Sequence, residues 1–319
     1  MRVKNNFYIA LCVSILAAAL FPSLGAKLQE TGYLSVICIM LMYLGMGLST
    51  DTGQLVHGLS CWRLILFVQA VLFVLAPIYA FLLYRVLSPF CGKDAAIGIL
   101  FIGCIPTTLT SCIMLTQKMG GNEIGALYNA MFSQLLGILV TPLLLSWFLA
   151  TQYTVVTPLG DVIVNLCVKM IVPFTIGQLL RPIRKYLGQI PKTVSFYGIF
   201  IILYMNLSFS IARGDFLHQL VNLLYPVVGC FVLCCLLLFS IVLLSKWFKF
   251  SYEDRICSIF TGAHKTLGMG IPLASIYFPD NGKIAMKVSL LIIVYYIITM
   301  IISVFVAERM KPSRGELSV

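Results

Sequence analysis

The residues of this chain that are best suited to bind a solute or an ion lie in two interrupted apolar segments. The first segment breaks at Pro106 and continues through threonine and serine to Ser111. The second breaks at His264 and Lys265, with glycines on both sides. Irregular backbone at membrane depth is tolerated only where protein or a water-filled cavity satisfies its polar groups. Two such breaks in corresponding parts of a chain indicate where a transporter binds its cargo.

The first break offers oxygen atoms. Proline removes one backbone donor and disrupts the preceding turn, which frees carbonyl groups, and Thr108, Thr110 and Ser111 add hydroxyl groups. Hard cations such as sodium prefer several oxygen ligands, by analogy with calcium and magnesium. We therefore predict a sodium site at Thr110, Ser111 and Asn129. The alternative is that these hydroxyls bond back to the carbonyls of their own helix, as is common in membrane spans.

The second break carries positive charge. Ionisable groups at mid-membrane cost about 2.5–3.5 kcal/mol to insert and are therefore functional candidates. Here they are Lys169, His264 and Lys265, whereas all eleven Asp and Glu residues lie in predicted loops or at span ends. Lys265 is predicted either to face an anionic solute, aided by half-helix N-termini, or to hold unwound backbone by donating to carbonyls. His264 is either a proton carrier or a neutral core residue.

The predicted binding residues form two groups. Asn129 and Ser133 lie four positions apart and so share one helix face. The main candidates for substrate or ion binding are Thr108, Thr110, Ser111, Cys112, Asn129, Ser133, His264, Lys265 and Thr266. Supporting candidates are Gln69, Asn122, Glu123 and Lys169.

The composition excludes a water-soluble protein. Hydrophobic residues make up 60% of the 319 positions and charged residues 10%, with a mean hydropathy of +1.00, whereas soluble domains carry about 25% charged residues. A hydrocarbon core about 30 Å thick needs about 20 apolar residues per helix. On that measure ten spans are predicted, at 7–25, 32–50, 63–84, 95–117, 123–149, 161–180, 196–213, 221–245, 254–278 and 284–307.

The basic residues predict the orientation of these spans. The net charge is +11, and fourteen of the 22 Lys and Arg residues fall on one side of the predicted membrane, six on the other and two within spans. Because cytoplasmic loops carry the excess of Lys and Arg, both termini are predicted to be cytoplasmic. The charge therefore reports orientation in a plasma membrane or bacterial inner membrane, with the lipid bilayer rather than nucleic acid as partner.

The two broken segments lie 160 positions apart, and the same offset relates Pro22 to Pro182 and Ile124 to Ile284. Five spans per half is an odd number, so the second half enters from the opposite side, which makes an inverted repeat with its site near the midplane. The predicted fold is an all-α polytopic membrane protein with ten transmembrane helices in two inverted five-helix repeats, whose broken fourth and ninth spans cross. The predicted boundaries are 1–149 for the first repeat, 150–160 for a linker, 161–307 for the second repeat and 308–319 for a cytoplasmic tail.

Several stretches of the chain together resemble the bile acid:sodium symporter family. They are 103–112 (GCIPTTLTSC), 120–123 (GGNE), 128–129 (YN), 136–142 (LGILVTP), 177–182 (GQLLRP) and 262–266 (GAHKT). The resemblance implies a core of spans three to five and eight to ten, which moves against a panel of spans one, two, six and seven. It also implies that substrate and ions bind where spans four and nine cross, and that Lys169 lies on the panel.

The resemblance also exposes departures from the pattern of sodium-coupled members. Ser111 matches their serine, but Cys112 stands in place of an asparagine. On span nine, Phe260 falls near the position of a glutamate, and His264-Lys265 replaces an amide pair. A sodium ion without a counter-charge pays a heavy desolvation cost in a low-dielectric site. We therefore hypothesise that Lys265 replaces one coupling cation.

The sequence predicts a secondary active transporter, a symporter that moves an organic, anionic solute by alternating access. Sodium or protons would be the coupling ion, with no other cofactor, and the protein would act as a monomer. It is not predicted to be an enzyme, because no activated nucleophile is readable. The alternative is a non-transporting or regulatory membrane protein that retains the transporter fold.

Overall fold

A computed structural model describes residues 2–50, 61–152, 159–212, 223–278 and 281–310. These ranges are helical and contain no strand. In chain order the helices are α1 (Arg2–Leu20), α2 (Pro22–Thr31), α3 (Tyr33–Ser49), α4 (Trp62–Ala70), α5 (Ala76–Cys91), α6 (Lys93–Cys104), α7 (Thr110–Lys118), α8 (Glu123–Gln152), α9 (Leu159–Leu179), α10 (Arg184–Leu187), α11 (Ile190–Ala212), α12 (Leu224–Trp247), α13 (Tyr252–Ala263), α14 (Leu267–Tyr277) and α15 (Gly282–Arg309). A π turn, Val71–Leu75, joins α4 to α5. The predicted linker and tail lie partly outside the described residues.

Within the described residues, five helices are long and apolar enough to cross a membrane. They are Trp62–Cys91, Glu123–Ala150, Ile190–Ala212, Leu224–Trp247 and Gly282–Arg309. Helices α1 and α2 together make a sixth candidate, bent by 97°. The span predicted at 7–25 is therefore broken after Leu20, because Pro22 has no N–H with which to continue the helix and instead opens α2. The chain is a multi-pass membrane protein.

One group of helices packs around α3. Helix α3 contacts α9 and α11, and α11 also contacts α1 and α2. Glycines allow α3 and α9 to meet backbone to backbone: a β-carbon on Gly47 would lie 2.2 Å from the carbonyl oxygen of Phe174, and one on Gly177 would lie 2.4 Å from that of Leu44. Any larger residue at Gly47 or Gly177 would push these two helices apart.

A second group of helices surrounds the broken segments. Helix α6 packs on α5 and α15, while α12 packs on α5, α13 and α15. Helix α8 packs on α4, α7 and α13. The two groups meet where α11 contacts α14 and α15 and where α3 contacts α14.

The helix bounds repeat along the chain within this second group. Tyr252, which opens α13, lies 159 positions after Lys93, which opens α6, and both helices have 12 residues. Gly282, which opens α15, likewise lies 159 positions after Glu123, which opens α8. The offset read from the helix starts is therefore one residue shorter than the 160 expected from the sequence.

Candidate functional site

The first broken segment ends a helix at Cys104 and begins the next at Thr110. Ile105 is extended, with φ −80° and ψ 149°, because a residue that precedes proline is disfavoured in the α region. Pro106 itself supplies no N–H. The intervening carbonyl groups therefore lose their helical donors and need other partners, since unpaired buried carbonyls are costly.

Side chains and backbone from elsewhere in the chain supply those partners. The donors are the Thr141 hydroxyl to the Cys104 carbonyl (2.8 Å), the Thr266 N–H to the Pro106 carbonyl (2.9 Å) and the Gln134 amide to the Thr107 carbonyl (2.6 Å). Two of these donors come from α8, and one comes from the second broken segment. The two breaks are thus in direct contact.

Lys265 provides further donors. Its side chain is 0% exposed, and its Nζ donates to the carbonyls of Ile105 (3.0 Å) and Gly103 (3.3 Å). A third carbonyl, that of Leu72, lies 3.5 Å away. Lys265 therefore joins both halves of the chain through unwound backbone, which is the bracing role left open by the sequence.

The Leu72 carbonyl is available to Lys265 for a local reason. In a regular helix it would accept from Ala76, but the N–H of Ala76 bonds to the carbonyl of Val71 in the π turn. The next residue is Pro77, which has no N–H. The π turn and the proline together leave one carbonyl of this span without a helical donor, and Lys265 faces it.

The second break contains no proline and is held by tertiary contacts. His264 and Thr266 are both extended. The Ala263 carbonyl accepts from the Tyr295 hydroxyl at 2.9 Å, and the Thr266 hydroxyl caps α14 by accepting from the N–H of Gly268 at 3.2 Å. The backbone therefore leaves the helix because these groups and Pro106 bind it.

His264 is placed as a core residue. It is 1% exposed, and its Nε2 lies 2.8 Å from the hydroxyl of Ser303. Its ring meets that of Phe260 edge to face, with 5.8 Å between centroids. Its Nδ1 has no hydrogen-bond partner among the described residues.

The hydroxyl-rich stretch after Pro106 divides into paired and open groups. The hydroxyls of Thr108 and Ser111 are hydrogen-bonded to each other. Cys112 donates from Sγ to the Phe260 carbonyl at 3.1 Å and so ties α7 to α13. Thr110 is exposed and lines the cavity described below.

The two predicted binding residues of α8 bond to their own helix. Asn129 donates to the Gly125 carbonyl at 2.9 Å, and Ser133 donates to the Ala130 carbonyl at 3.0 Å. Gln69 donates from α4 to the Asn129 carbonyl at 3.3 Å. These contacts join α4 to α8 and fit the alternative in which polar groups satisfy helix backbone.

The three predicted sodium ligands are not joined by any hydrogen bond within the described part of the chain. Thr110 lines the cavity, Ser111 pairs with Thr108, and Asn129 is fully buried between α4 and α8. The carbonyls at the crossover, which could also serve a cation, are held by the Lys265 ammonium. They do not fit a sodium ion while that ammonium is in place, and the sodium set stays a prediction.

The supporting candidates lie away from the crossover. Asn122 donates from Nδ2 to the Asp254 carboxylate at 2.7 Å and thereby links the start of α8 to the start of α13. Glu123 is exposed. Lys169 is half-buried on α9 and does not line the cavity.

A cavity of about 840 Å³ lies beside the crossover, between the two helix groups. Both broken segments reach it, and α3 and α11 form its opposite wall. Its lining includes Met42, Tyr43, Met46, Leu109, Thr110, Met131, Gln134, Arg184, Gln189, Lys192, Thr193, Phe196, Ile199, Thr266 and Gly268. Small-molecule sites occupy about 300–1,000 Å³, so the cavity has the size of a solute site.

The other end of the same helix interface is closed. Asn206 of α11 donates from Nδ2 to the hydroxyls of Ser275 (3.1 Å) and Ser289 (3.3 Å), on α14 and α15. Asn206 lies seven residues beyond Ile199, which is about 10 Å along a helix. All three side chains are buried. The cavity is therefore open at one end of α11 and sealed by polar contacts towards the other.

An all-helical membrane protein whose two broken helices meet at a buried crossover beside a cavity belongs to the class of secondary transporters. The chain is a member of the SBF-like CPA transporter family, whose model matches residues 5–312. This membership confirms the resemblance found in the sequence.

Individual relatives match over nearly the whole chain. It is 30% identical over 304 residues to sodium/bile acid cotransporter 7 of Rattus norvegicus, covering 92% of this chain and 88% of that protein. The cotransporter 7 of Danio rerio is 29% identical over 303 residues, covering 92% and 89%. Protein PA2026 of Pseudomonas aeruginosa is 29% identical over 327 residues, covering 98% and 95%. Membership of a transporter family implies a small-molecule substrate for this chain.

Most polar residues of the cavity were missed by sequence reasoning, among them Gln134, Arg184 and Lys192. Gln134 adjoins the candidate Ser133 and could have been found as a polar residue within a span. Arg184 and Lys192 were counted only as loop charges that set orientation. Their position beside the cavity follows from the packing of α10 and α11 and has no local signature in the sequence.

Proposed function

We propose that this protein is a symporter that carries an organic anion across a membrane by alternating access. The observation that supports this most directly is the pair of unequal ends of α11. One end borders a cavity that reaches both breaks, and the other end is closed by Asn206, Ser275 and Ser289. A transporter in one of its two access states has this asymmetry.

The proposed architecture is ten spans in two inverted five-helix repeats, within 1–149 and 161–307. The equal lengths of α6 and α13 and their constant offset support it. The proposed moving parts are a core of α4–α8 and α12–α15 and a panel of α1–α3 and α9–α11. With both termini cytoplasmic, the cavity opens towards the cytoplasm, because Arg184 and Lys192 belong to predicted cytoplasmic segments. We place the protein in a plasma or bacterial inner membrane as a monomer.

An anionic cargo follows from the charges around the cavity. Arg184 and Lys192 line it, and no carboxylate is among the described lining residues. Helices α7 and α14 also begin at the cavity, at Thr110 and Leu267, and the N-terminus of a helix carries partial positive charge. In this proposal Thr110 and Thr266 contact the solute from the crossover, while His264 and the buried hydroxyls maintain the shape of the breaks.

Coupling is proposed to use sodium or protons, with Lys265 as a tethered replacement for one coupling cation. Its ammonium faces three carbonyl oxygens, as a bound monovalent cation would. The same feature favours the second candidate, a regulator that has kept the fold without transport, because a fixed cation removes one exchangeable ion. The relatives' bile acids are not assumed as cargo, since the residues at the crossover differ from the sodium-coupled pattern.

Uptake by reconstituted protein tests the proposal. Purified protein in liposomes is supplied with radiolabelled organic anions under an inward sodium gradient, an inward proton gradient or no gradient. Gradient-driven accumulation supports the symporter. Binding that stabilises the protein without any uptake supports the regulator instead. As a control, Lys246→Ala removes an exposed charge at the end of α12 and should leave uptake unchanged.

A further inference from the structure

The cavity has two chemically different ends. Arg184 of α10 and Lys192 of α11 lie at one end, together with the polar side chains of Gln189 and Thr193. Thr110, Gln134 and Thr266 lie at the other end, at the crossover. Between them the wall is apolar and rich in methionine, and its members include Met42, Met46, Met131, Leu109, Leu127, Phe196 and Ile199. Methionine suits surfaces that adapt to irregular apolar shapes.

At the cationic end of the cavity, several N–H donors have no hydrogen-bond partner among the described residues. Arg184 carries five N–H donors, and among the described residues only its Nη1 has a partner, the Ser49 carbonyl at 3.3 Å. Lys192 is exposed in the first turn of α11, where the positive end of that helix adds to its charge. No described carboxylate is hydrogen-bonded to either side chain. Both cations are therefore available to an anion that enters the cavity.

Lys265 is not available in this way. An ammonium group has three donors, and the three nearest acceptors to this one are backbone carbonyls at 3.0, 3.3 and 3.5 Å. The side chain is 0% exposed and does not line the cavity. An anion at the crossover would meet hydroxyl and amide groups rather than the lysine.

We propose that Arg184 and Lys192 form an anion subsite on the panel, which binds the charged group of an amphipathic organic monoanion. The apolar body of that molecule lies along the methionines, and a hydroxyl or carbonyl at its far end reaches Thr110, Gln134 and Thr266. This inference rests on the proposed function and adds the orientation of the cargo, with its charge on the panel and away from Lys265.

Binding to purified protein tests the subsite. The probes are taurocholate, estrone sulfate and decanoate, which share an anionic end and an apolar body, together with inorganic sulfate, which lacks the body. Arg184→Gln and Lys192→Gln should each weaken the Kd for the best probe about tenfold, as expected for loss of a charge-assisted contact. Inorganic sulfate should give no stabilisation. Lys185→Gln is the matched control, because Lys185 adjoins Arg184, is exposed and does not line the cavity.

The outcomes separate this inference from the proposed function. If wild-type protein binds a probe and both variants bind it equally well, the panel subsite is wrong and the transporter proposal stands. If wild-type protein binds none of the three amphipathic probes, the proposed subsite and the proposed anionic cargo are both wrong. If Lys185→Gln weakens binding as much as Arg184→Gln, general surface charge explains the effect and the subsite is again wrong.

A lipid headgroup could supply the same anionic chemistry, and a second arm distinguishes it from a soluble cargo. Wild-type protein and Arg184→Gln are compared in nanodiscs of phosphatidylcholine with and without phosphatidylglycerol. The proposal expects phosphatidylglycerol to stabilise both proteins equally. If stabilisation by phosphatidylglycerol is lost in Arg184→Gln while probe binding is unchanged, the occupant is a lipid and the proposal is overturned.

Discussion

Substitutions of Lys265 distinguish two roles for this residue, that of a structural brace and that of a tethered coupling cation. Lys265→Met keeps the apolar stem but removes the ammonium, so the carbonyls of Ile105 and Gly103 lose donors at 3.0 and 3.3 Å. The contact with Leu72, at 3.5 Å, is the longest of the three and contributes least. Each buried polar group left unpaired costs about 1–3 kcal/mol, so we expect a loss of about 2–6 kcal/mol in the free energy of unfolding.

Lys265→Ala adds a test of the cation role. Alanine leaves space beside the same carbonyls, and oxygen ligands suit a hard cation. We therefore expect sodium, relative to an equal concentration of potassium, to stabilise this variant more than it stabilises the wild type. Uptake by the variant should be lost or should acquire a new dependence on sodium.

Thermal unfolding of purified protein and uptake in liposomes measure both effects. Lys246→Ala is the control, because it removes an exposed lysine that has no part in the crossover. Wild-type stability together with unchanged uptake and ion dependence in Lys265→Ala would refute the role assigned to this residue. Equal stabilisation of the wild type and of Lys265→Ala by sodium would refute the tethered cation while leaving the brace intact.

Three further predictions concern other polar contacts. Asn206→Leu should speed labelling of a cysteine placed at Phe209 by an impermeant maleimide from the outer side, because the polar closure with α14 and α15 is lost; unchanged labelling would contradict the proposed closure. Asn122→Ala should lower the unfolding temperature, since it removes a helix cap worth about 0.5–2 kcal/mol and the link to Asp254. Asn122→Asp keeps a capping oxygen but should still lower the unfolding temperature, because it opposes two carboxylates. Thr141→Val should lower the free energy of unfolding, measured by thermal unfolding, by about 1–3 kcal/mol, because the Cys104 carbonyl has no helical donor. Thr299→Val is the control and should cost less, because it removes a hydroxyl from a carbonyl of its own helix.

Local rules predicted the first break better than the second. Pro106 is sufficient to explain why Ile105 is extended and why the helix ends. At the second break no proline forces the backbone out of the helix, and only the polar run at His264 and the glycines on both sides of it indicated the break. Its conformation depends on Tyr295 and on the contact between Thr266 and Pro106, which join distant parts of the sequence.

The sequence indicated two alternative roles for Lys265 but did not decide between them. The decision requires knowing which backbone carbonyls lack donors. That depends on a π turn ending at Leu75 and on Pro77, almost 200 positions earlier in the chain. The bend between α1 and α2 could have been predicted, because Pro22 is present in the sequence. The span at 7–25 was predicted from the number of apolar residues alone, which ignores that proline. The position of Arg184 beside the cavity could not be predicted from the sequence, because the cavity wall exists only in the folded chain.

The contacts at the crossover bear on where the protein can move. Each break also receives donors from the other half of the chain: Lys265 and Thr266 supply donors to the first, and Cys112 supplies one to the helix that ends at the second. Separating the halves there would leave several buried carbonyls unpaired, so we expect the crossover to move as one body. The cavity and the Asn206 contacts instead lie between this body and α11. A solute bound to Arg184 on one side and to the crossover on the other would span the interface at which motion is expected. Its affinity would then differ between the two access states, and such a difference is what allows a ligand to shift a conformational equilibrium.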